Sequence, residues 1–158
     1  MSKTDTIKSI RIDSENVCYG PEPDYNDEVF QHLTINAKGR VWLTRYCYGD
    51  RATGYKLKSR HYLSIPKEQA QDIFKAIIDG FFNDESEPII VTDVGGWNML
   101  VIAGTEETTA FTGSLINDNS IGHEVSKMIR KALNDNTIFA LDGDVAYDDE
   151  QRRTAKIR

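Results

Sequence analysis

Cysteine is scarce in this sequence, since Cys18 and Cys47 are the only two among 158 residues. Two cysteines do not make a disulfide framework, and no CxxC pair or Cys/His cluster has the spacing of a structural zinc site. Long apolar runs are missing as well, because none approaches the roughly 20 residues that span a bilayer. The first ten residues lack the apolar core of a signal peptide. We therefore expect a cytoplasmic protein with reduced thiols and no membrane partner.

Signatures of catalysis are equally scarce. The sequence contains no phosphate-cradling glycine loop, dinucleotide fingerprint or nucleophile elbow. Of its three histidines, we expect His32 and His61 on opposite faces of a sheet and His123 exposed at the start of a helix. A metal-free ribonuclease would need His32 to converge with Lys58 or Arg60 on one phosphate. We expect a protein that is not an enzyme and that holds no metal or cofactor.

Charge is distributed unevenly along this acidic chain, whose net charge is −6. Residues 13–28 contain six acids and no base, and the prolines among them predict an acidic loop. In residues 40–62, seven basic residues (one of them a histidine) accompany a single acid, Asp50, and five aromatic rings lie between them. Residues 146–158 are predicted to form a flexible charged tail after one domain that spans 1–145.

Alternation and turn residues predict the order of the elements. Apolar stripes at helical spacing predict two helices, with Ser64 and Ser120 as their caps, and Gly95 and Gly96 are expected to form a hairpin turn. The predicted strands cover residues 7–12, 28–36, 40–48, 55–65, the two arms of a hairpin within 88–104, 108–115 and 137–141, and the helices follow residues 64 and 120. This order predicts an α+β fold, a mostly antiparallel sheet with two helices packed on one face.

Period-two geometry gathers the rings and cations on the sheet face that points away from the helices. Val29, Leu33, Ile35 and their neighbours on the next strands point inward. The outward set comprises Phe30, His32, Thr34, Arg40, Trp42, Thr44, Tyr46, Tyr48, Lys56, Lys58, Arg60 and Tyr62. Arg45 falls on the core side, which indicates a bulge, an edge position or another register.

This predicted face has three interpretations. Rings can stack on unpaired bases while cations neutralise phosphates, or they can dock a protein partner or a second copy of the chain. They can also simply form cross-strand pairs on a solvated sheet. The candidate partner-binding residues on the face are Arg40, Trp42, Tyr46, Tyr48, Lys56, Lys58, Arg60 and Tyr62. A competing candidate is the acidic loop, in which Asp24, Asp27 and Glu28 could mimic phosphates.

Four stretches together carry a resemblance: INAKGRVWLTRYCYG, TDVGGWNMLVI, FTGSL and FALDGD. As a set, over about residues 30–144, they resemble a family of small, mostly uncharacterised proteins of Gram-positive bacteria and their mobile elements. The family brings no assigned catalytic residues, so no site is transferred. Small acidic proteins of such elements include anti-CRISPR proteins, which block an RNA-guided nuclease.

The resemblance and the acidic composition lead to one expectation and two alternatives. We expect a non-enzymatic protein that inhibits a nucleic-acid-processing nuclease, most specifically a type II RNA-guided nuclease. The first alternative is an immunity protein that neutralises a toxin nuclease, because such enzymes present basic clefts. The second is an RNA-binding or RNA-cleaving domain.

Overall fold

Six antiparallel strands and two helices make up the fold, as the computed structural model shows for residues 7–17, 22–50, 52–83, 94–116 and 121–143. The strand order across the sheet is β4-β3-β2-β1-β5-β6. The elements are β1 (Ile7–Glu15), β2 (Glu28–Asn36), β3 (Arg40–Asp50), β4 (Gly54–Ser64), α1 (Lys67–Ile77) with a π-helical turn (Ile78–Phe82), β5 (Gly96–Ala103), β6 (Thr108–Ser114) and α2 (Ile121–Leu133). The predicted α+β class is confirmed.

The hydrophobic core lies between the sheet and the two helices. Every second residue of β2 and β3 is buried, and so is every second residue of β1 from Ile10 to Ser14, as alternation requires of a sheet with one covered face. The helices bury the predicted stripes, with Phe74 of α1 and Ile129 of α2 fully enclosed. Burying side chains of this size stabilises the fold by about 1.5–3 kcal/mol each.

The start of α1 differs from the sequence prediction. Ser64 is the last residue of β4, and the N-cap position is Pro66, which makes no side-chain capping bond. Pro66 itself suits the position, because its fixed φ is compatible with the first helical turn. The predicted cap of α2, Ser120, lies outside the described residues.

The predicted Gly95-Gly96 turn is wrong. Gly96 is the first residue of β5, where it pairs with Glu15 of β1 and Ser114 of β6. Neither glycine has a positive φ. Gly95 is required for another reason, since a Cβ there would lie 2.1 Å from the Glu15 carbonyl oxygen. The first arm of the predicted hairpin, except Val94, lies outside the described part of the chain.

The predicted closing strand at 137–141 is also wrong, because this largely buried segment forms turns after α2 and pairs with none of the described strands. Side chains satisfy its backbone instead. The Phe139 amide donates to Gln31 Oε1 at 2.7 Å, and the Leu141 amide donates to Ser126 Oγ at 2.9 Å. Arg130 Nε donates to the Ile138 carbonyl at 2.7 Å. Buried backbone groups need such partners, and here polar core residues supply them.

The acidic segment is less of a loop than predicted. Strand β1 extends to Glu15 and β2 begins at Glu28, so both ends of the 13–28 stretch belong to the sheet. The predicted tail at 146–158 lies outside the described residues. In the described ranges, no helix has the length and apolar character needed to cross a membrane.

Candidate functional site: the open face of the sheet

The sheet surface opposite the helices, here called the open face, carries most of the predicted partner-binding residues. On β3, buried Val41 and Leu43 alternate with outward Arg40, Trp42 and Thr44. Strand pairing then places the β4 residues beside them, with Tyr62 opposite Trp42 and Arg60 opposite Thr44. The predicted open-face residues confirmed by this register are Phe30, His32, Thr34, Arg40, Trp42, Thr44, Tyr46, Tyr48, Arg60 and Tyr62.

A bulge in β4 moves Lys56 and Lys58 off the open face, which corrects the sequence prediction. Arg45 pairs with Ser59, but the next residue, Tyr46, pairs with Leu57, so Lys58 is the extra residue. Lys58 reaches the Glu28 carboxylate at 2.9 Å, on the helix side of the sheet. The Lys56 side chain lies over the Tyr25 ring, 4.7 Å from its centroid.

The residues that replace these lysines on the open face are Tyr55 and Leu57. Leu57 is 42% exposed. Tyr55 completes an aromatic cluster with Phe30, Tyr46 and Tyr48, in which ring centroids lie 5.6–6.3 Å apart. Arg45 on the core side was expected to mark a bulge, an edge position or another register. It lies there in regular alternation on β3, and the extra residue, Lys58, is on β4.

Acidic side chains border the aromatic cluster. The Tyr55 hydroxyl donates to Glu15 Oε2 at 2.9 Å, and the Tyr48 hydroxyl donates to Glu22 Oε1 at 2.8 Å. Burial, the bond to Glu15 and the charge of its carboxylate raise the pKa of Tyr55 to about 12. This end of the open face is therefore aromatic and acidic.

The other end of the open face is aromatic and basic. Trp42 and Tyr62 meet edge to face, with ring centroids 5.2 Å apart and ring planes at 78°. Tyr62 is 61% exposed and Trp42 is 38% exposed. Arg40 and Arg60 lie beside them, and neither takes part in a salt bridge between described residues.

Two cationic residues of β1, Lys8 and Arg11, also belong to the basic end. Strand β1 pairs with β2, which places Arg11 beside Thr34, and Thr34 in turn lies beside Trp42 of β3. A strand was predicted here, but Lys8 and Arg11 were not assigned to the site, because local sequence patterns do not show which strands lie beside β1. The available signal was the placement of Lys8 and Arg11 between the buried isoleucines of β1, Ile7, Ile10 and Ile12.

Of the acidic candidates Asp24, Asp27 and Glu28, one forms salt bridges within the fold. The Glu28 carboxylate contacts Arg45 at 2.7 Å and Lys58 at 2.9 Å, and its side chain is only 14% exposed. Asp27 accepts a bond from the Asp24 amide at 2.8 Å. Both Asp24 and Asp27 are exposed, whereas Glu28 is held inside a salt-bridge cluster.

This salt-bridge cluster lies on the helix side and joins the β2–β3 hairpin to the chain after α2. Arg45 Nη2 contacts Asp135 Oδ2 at 2.5 Å. Burial raises the pKa of Asp135, but bonds from the Thr137 hydroxyl and amide, together with the Arg45 guanidinium, outweigh burial and hold that pKa below its usual range. The cluster explains the basic residue on the core side and is a structural contact.

The three histidines do not converge. His32 lies on the open face, where Nδ1 contacts Asp13, and His61 lies on the helix side opposite Leu43. The prediction of an exposed His123 is wrong. Its side chain is 13% exposed, and Nδ1 contacts Asp142 Oδ2 at 2.5 Å. Arg130 holds the other Asp142 oxygen, so this trio anchors the segment after α2.

The described residues contain no group of three or more His, Cys, Asp or Glu side chains placed to hold a metal ion. The sequence matches no protein-family model, and no curated protein is significantly similar to it. The geometry of the open face is therefore the main support for a functional proposal.

Proposed function

We propose that this chain is a cytoplasmic, non-enzymatic protein that inhibits a nuclease by docking on it through the open face. In its most specific form the proposal names a type II RNA-guided nuclease as the target. The observation that carries the docking proposal is the exposed Trp42–Tyr62 pair between two arginines without salt-bridge partners in the described chain. The choice of a nuclease rests on the sequence resemblance and the acidic composition.

The chemistry of the basic end suits a protein interface. Trp, Tyr and Arg are the residues that most often dominate binding energy at protein interfaces. Trp42 and Tyr62 already fix each other by an edge-to-face contact, so little side-chain entropy is lost on docking. The guanidiniums of Arg40 and Arg60 supply bidentate donors for carboxylates.

The alternative docking surface, the acidic loop, receives less support. A phosphate mimic needs carboxylates that are free to meet the cations of its target. Glu28 does not meet this condition, because Arg45 and Lys58 neutralise it within the fold. Only Asp24 and Asp27 of the three candidates are exposed.

The geometry also favours binding over RNA cleavage. His32 and Lys58 lie on opposite sides of the sheet, so they cannot act on one phosphate. Arg60 shares the open face with His32, but Thr44 of β3 lies between them. Their backbones are two strand spacings, about 10 Å, apart, and His32 Nδ1 already contacts Asp13.

A cleavage assay tests the proposal. A purified type II nuclease loaded with guide RNA is given target DNA, with and without this protein, and the guide is examined on a denaturing gel. We expect cleavage to stop at a stoichiometric amount of the protein while the guide stays intact.

Two outcomes would contradict this proposal. A shortened guide would show that the protein is an enzyme, and attention would move to His32 and Arg60. Unimpaired cleavage by several such nucleases would refute the specific target and favour an immunity protein, which the same assay with toxin nucleases would then examine.

A further inference from the structure

An open groove of about 650 Å³ lies at the basic end of the open face. Four cationic side chains and one large ring line it, together with a histidine: Lys8, Arg11, Lys38, Arg40, Trp42 and His32. They come from β1, β2, β3 and the β2–β3 turn, and the sheet brings them together. We call this set the basic groove.

The charge of the basic groove is opposite to that of the whole chain. No Asp or Glu lines it, although the net charge is −6. Lys8 contacts Glu106 at 2.7 Å on the exposed surface. Arg11, Lys38 and Arg40 take part in no salt bridge between described residues. Three cations are thus available to an anionic ligand.

The backbone around the basic groove is well fixed. The Asn36 side chain accepts bonds from the Lys38 amide at 3.0 Å and from the Arg40 amide at 2.9 Å. These bonds set the turn that carries both cations. Arg11 lies on a central strand, paired with Thr34 on one side and Leu100 on the other. The backbone positions that carry these cations are therefore fixed by hydrogen bonds.

We propose that the basic groove binds a single strand of nucleic acid, with phosphates on Arg11, Lys38 and Arg40 and a base stacked on Trp42. The combination of an exposed ring with cations on a sheet is typical of single-strand sites. A duplex keeps its bases stacked on one another, so it offers no base to Trp42. This inference goes beyond the proposed function, which requires only a protein partner.

The test uses the protein alone and a fluorescently labelled single strand of about 12 nucleotides. Fluorescence anisotropy is measured between about 50 mM and about 200 mM salt, with the same sequence as a duplex for comparison. We expect preferential binding of the single strand and a slope of log affinity against log salt of about −2, since each of three phosphate contacts contributes about −0.7. Tryptophan fluorescence should be quenched on binding. The change can be assigned to Trp42, because Trp97, the other tryptophan, is buried and cannot stack on a base.

Variants locate the site. Arg11→Gln with Arg40→Gln should reduce the magnitude of the slope by about 1.4, and Trp42→Ala should weaken binding at least about fivefold. The control is Lys67→Gln with Lys75→Gln, two exposed lysines of α1, which changes the net charge equally, from −6 to −8. Circular dichroism checks that each variant is folded. If Trp42→Ala does not fold, the double variant Arg11→Gln with Arg40→Gln still tests the site.

Several results would overturn the inference. The first is that the protein does not bind the strand even at the lowest salt. The second is that single strand and duplex bind equally well, and the third is that the arginine variant and the α1 control lose the same amount of affinity. Displacement of the strand by poly-glutamate at equal charge concentration would show that the basic groove takes any anion, including an acidic protein segment. If the protein stops a nuclease but binds no strand, the proposed function stands and this inference fails.

Discussion

Tyr55 joins the aromatic cluster to the acidic border of the open face. Its ring lies 6.0 Å from that of Phe30 and 6.3 Å from that of Tyr48, measured between centroids. Its hydroxyl donates to Glu15, a residue of the distant strand β1. Burial and this bond favour the neutral phenol, which is why the pKa of Tyr55 is raised to about 12.

We predict that Tyr55 ionises later than an unperturbed tyrosine, and that this affects stability at alkaline pH. Below pH 10, the ordinary pKa of tyrosine, the stabilisation is fully present. It is lost as pH rises from 10 towards 12, because the unfolded chain releases the proton first. Absorbance at the tyrosinate wavelength, recorded against pH, should show one late step that Tyr55→Phe removes. An unchanged titration curve in Tyr55→Phe would contradict the assignment.

At the same residue scale, the sequence predicted most of the open face because alternation holds on β2 and β3. The prediction was wrong for Lys56, Lys58 and Tyr55. One extra residue in β4 moves the side chains that precede it to the opposite face of the sheet. Arg45, the charged residue on the core side, lies there in regular alternation on β3, whereas the extra residue, Lys58, is on β4. Glu28 and Asp135, which are distant from Arg45 in sequence, form salt bridges with it and account for a charged residue on the core side.

At the scale of elements, the β2–β3 turn positions both the open face and α1. Gly39 has a φ of +87°, and its carbonyl accepts the Ile65 amide at 2.7 Å, just before α1. A Cβ at this position would lie 2.1 Å from the Ile65 carbonyl oxygen. The turn is thus held to the end of β4 by a close backbone approach that only glycine permits.

We predict that Gly39→Ala destabilises the protein more than Gly54→Ala does. Both positions have positive φ, and so both variants lose about 1–2 kcal/mol from the backbone conformation alone. Gly54 has open space where its Cβ would be, whereas Gly39→Ala also disrupts the bond to Ile65. The difference in free energy of unfolding should be at least about 1 kcal/mol. Urea denaturation measures it, and equal losses would refute this account of the turn.

The elements themselves were predictable where one physical signal decides them. Helical spacing identified α1 and α2, and alternation identified β2, β3 and β4. Residues 137–141 have the β-branched and aromatic content of a strand, yet Gln31, Ser126 and Arg130 satisfy their backbone. The hydrogen-bond partners of a buried backbone segment depend on tertiary contacts, and a local sequence pattern does not show these contacts.

At the scale of the whole molecule, the fold places basic and acidic side chains at opposite ends of the open face. Strand β1 lies between β2 and β5, so its basic start joins the β2–β3 turn and its acidic end joins the aromatic cluster. The open face therefore has a basic end and an acidic end, although the chain as a whole is acidic. Composition could not reveal this polarity, because it arises from the strand order.

The measurement that most directly tests the open face as the docking surface is an inhibition titration with two matched variants. One carries Trp42→Ala with Tyr62→Ala, and the other reverses charge in the acidic loop by Asp24→Lys with Asp27→Lys; Glu28 is left intact because it holds Arg45. Both are first shown to be folded by circular dichroism. We predict that the ring variant loses at least about tenfold in inhibition of the nuclease, while the loop variant inhibits like the unmodified protein. Full inhibition by the ring variant, together with loss in the loop variant, would contradict the account and place the contact on the acidic loop.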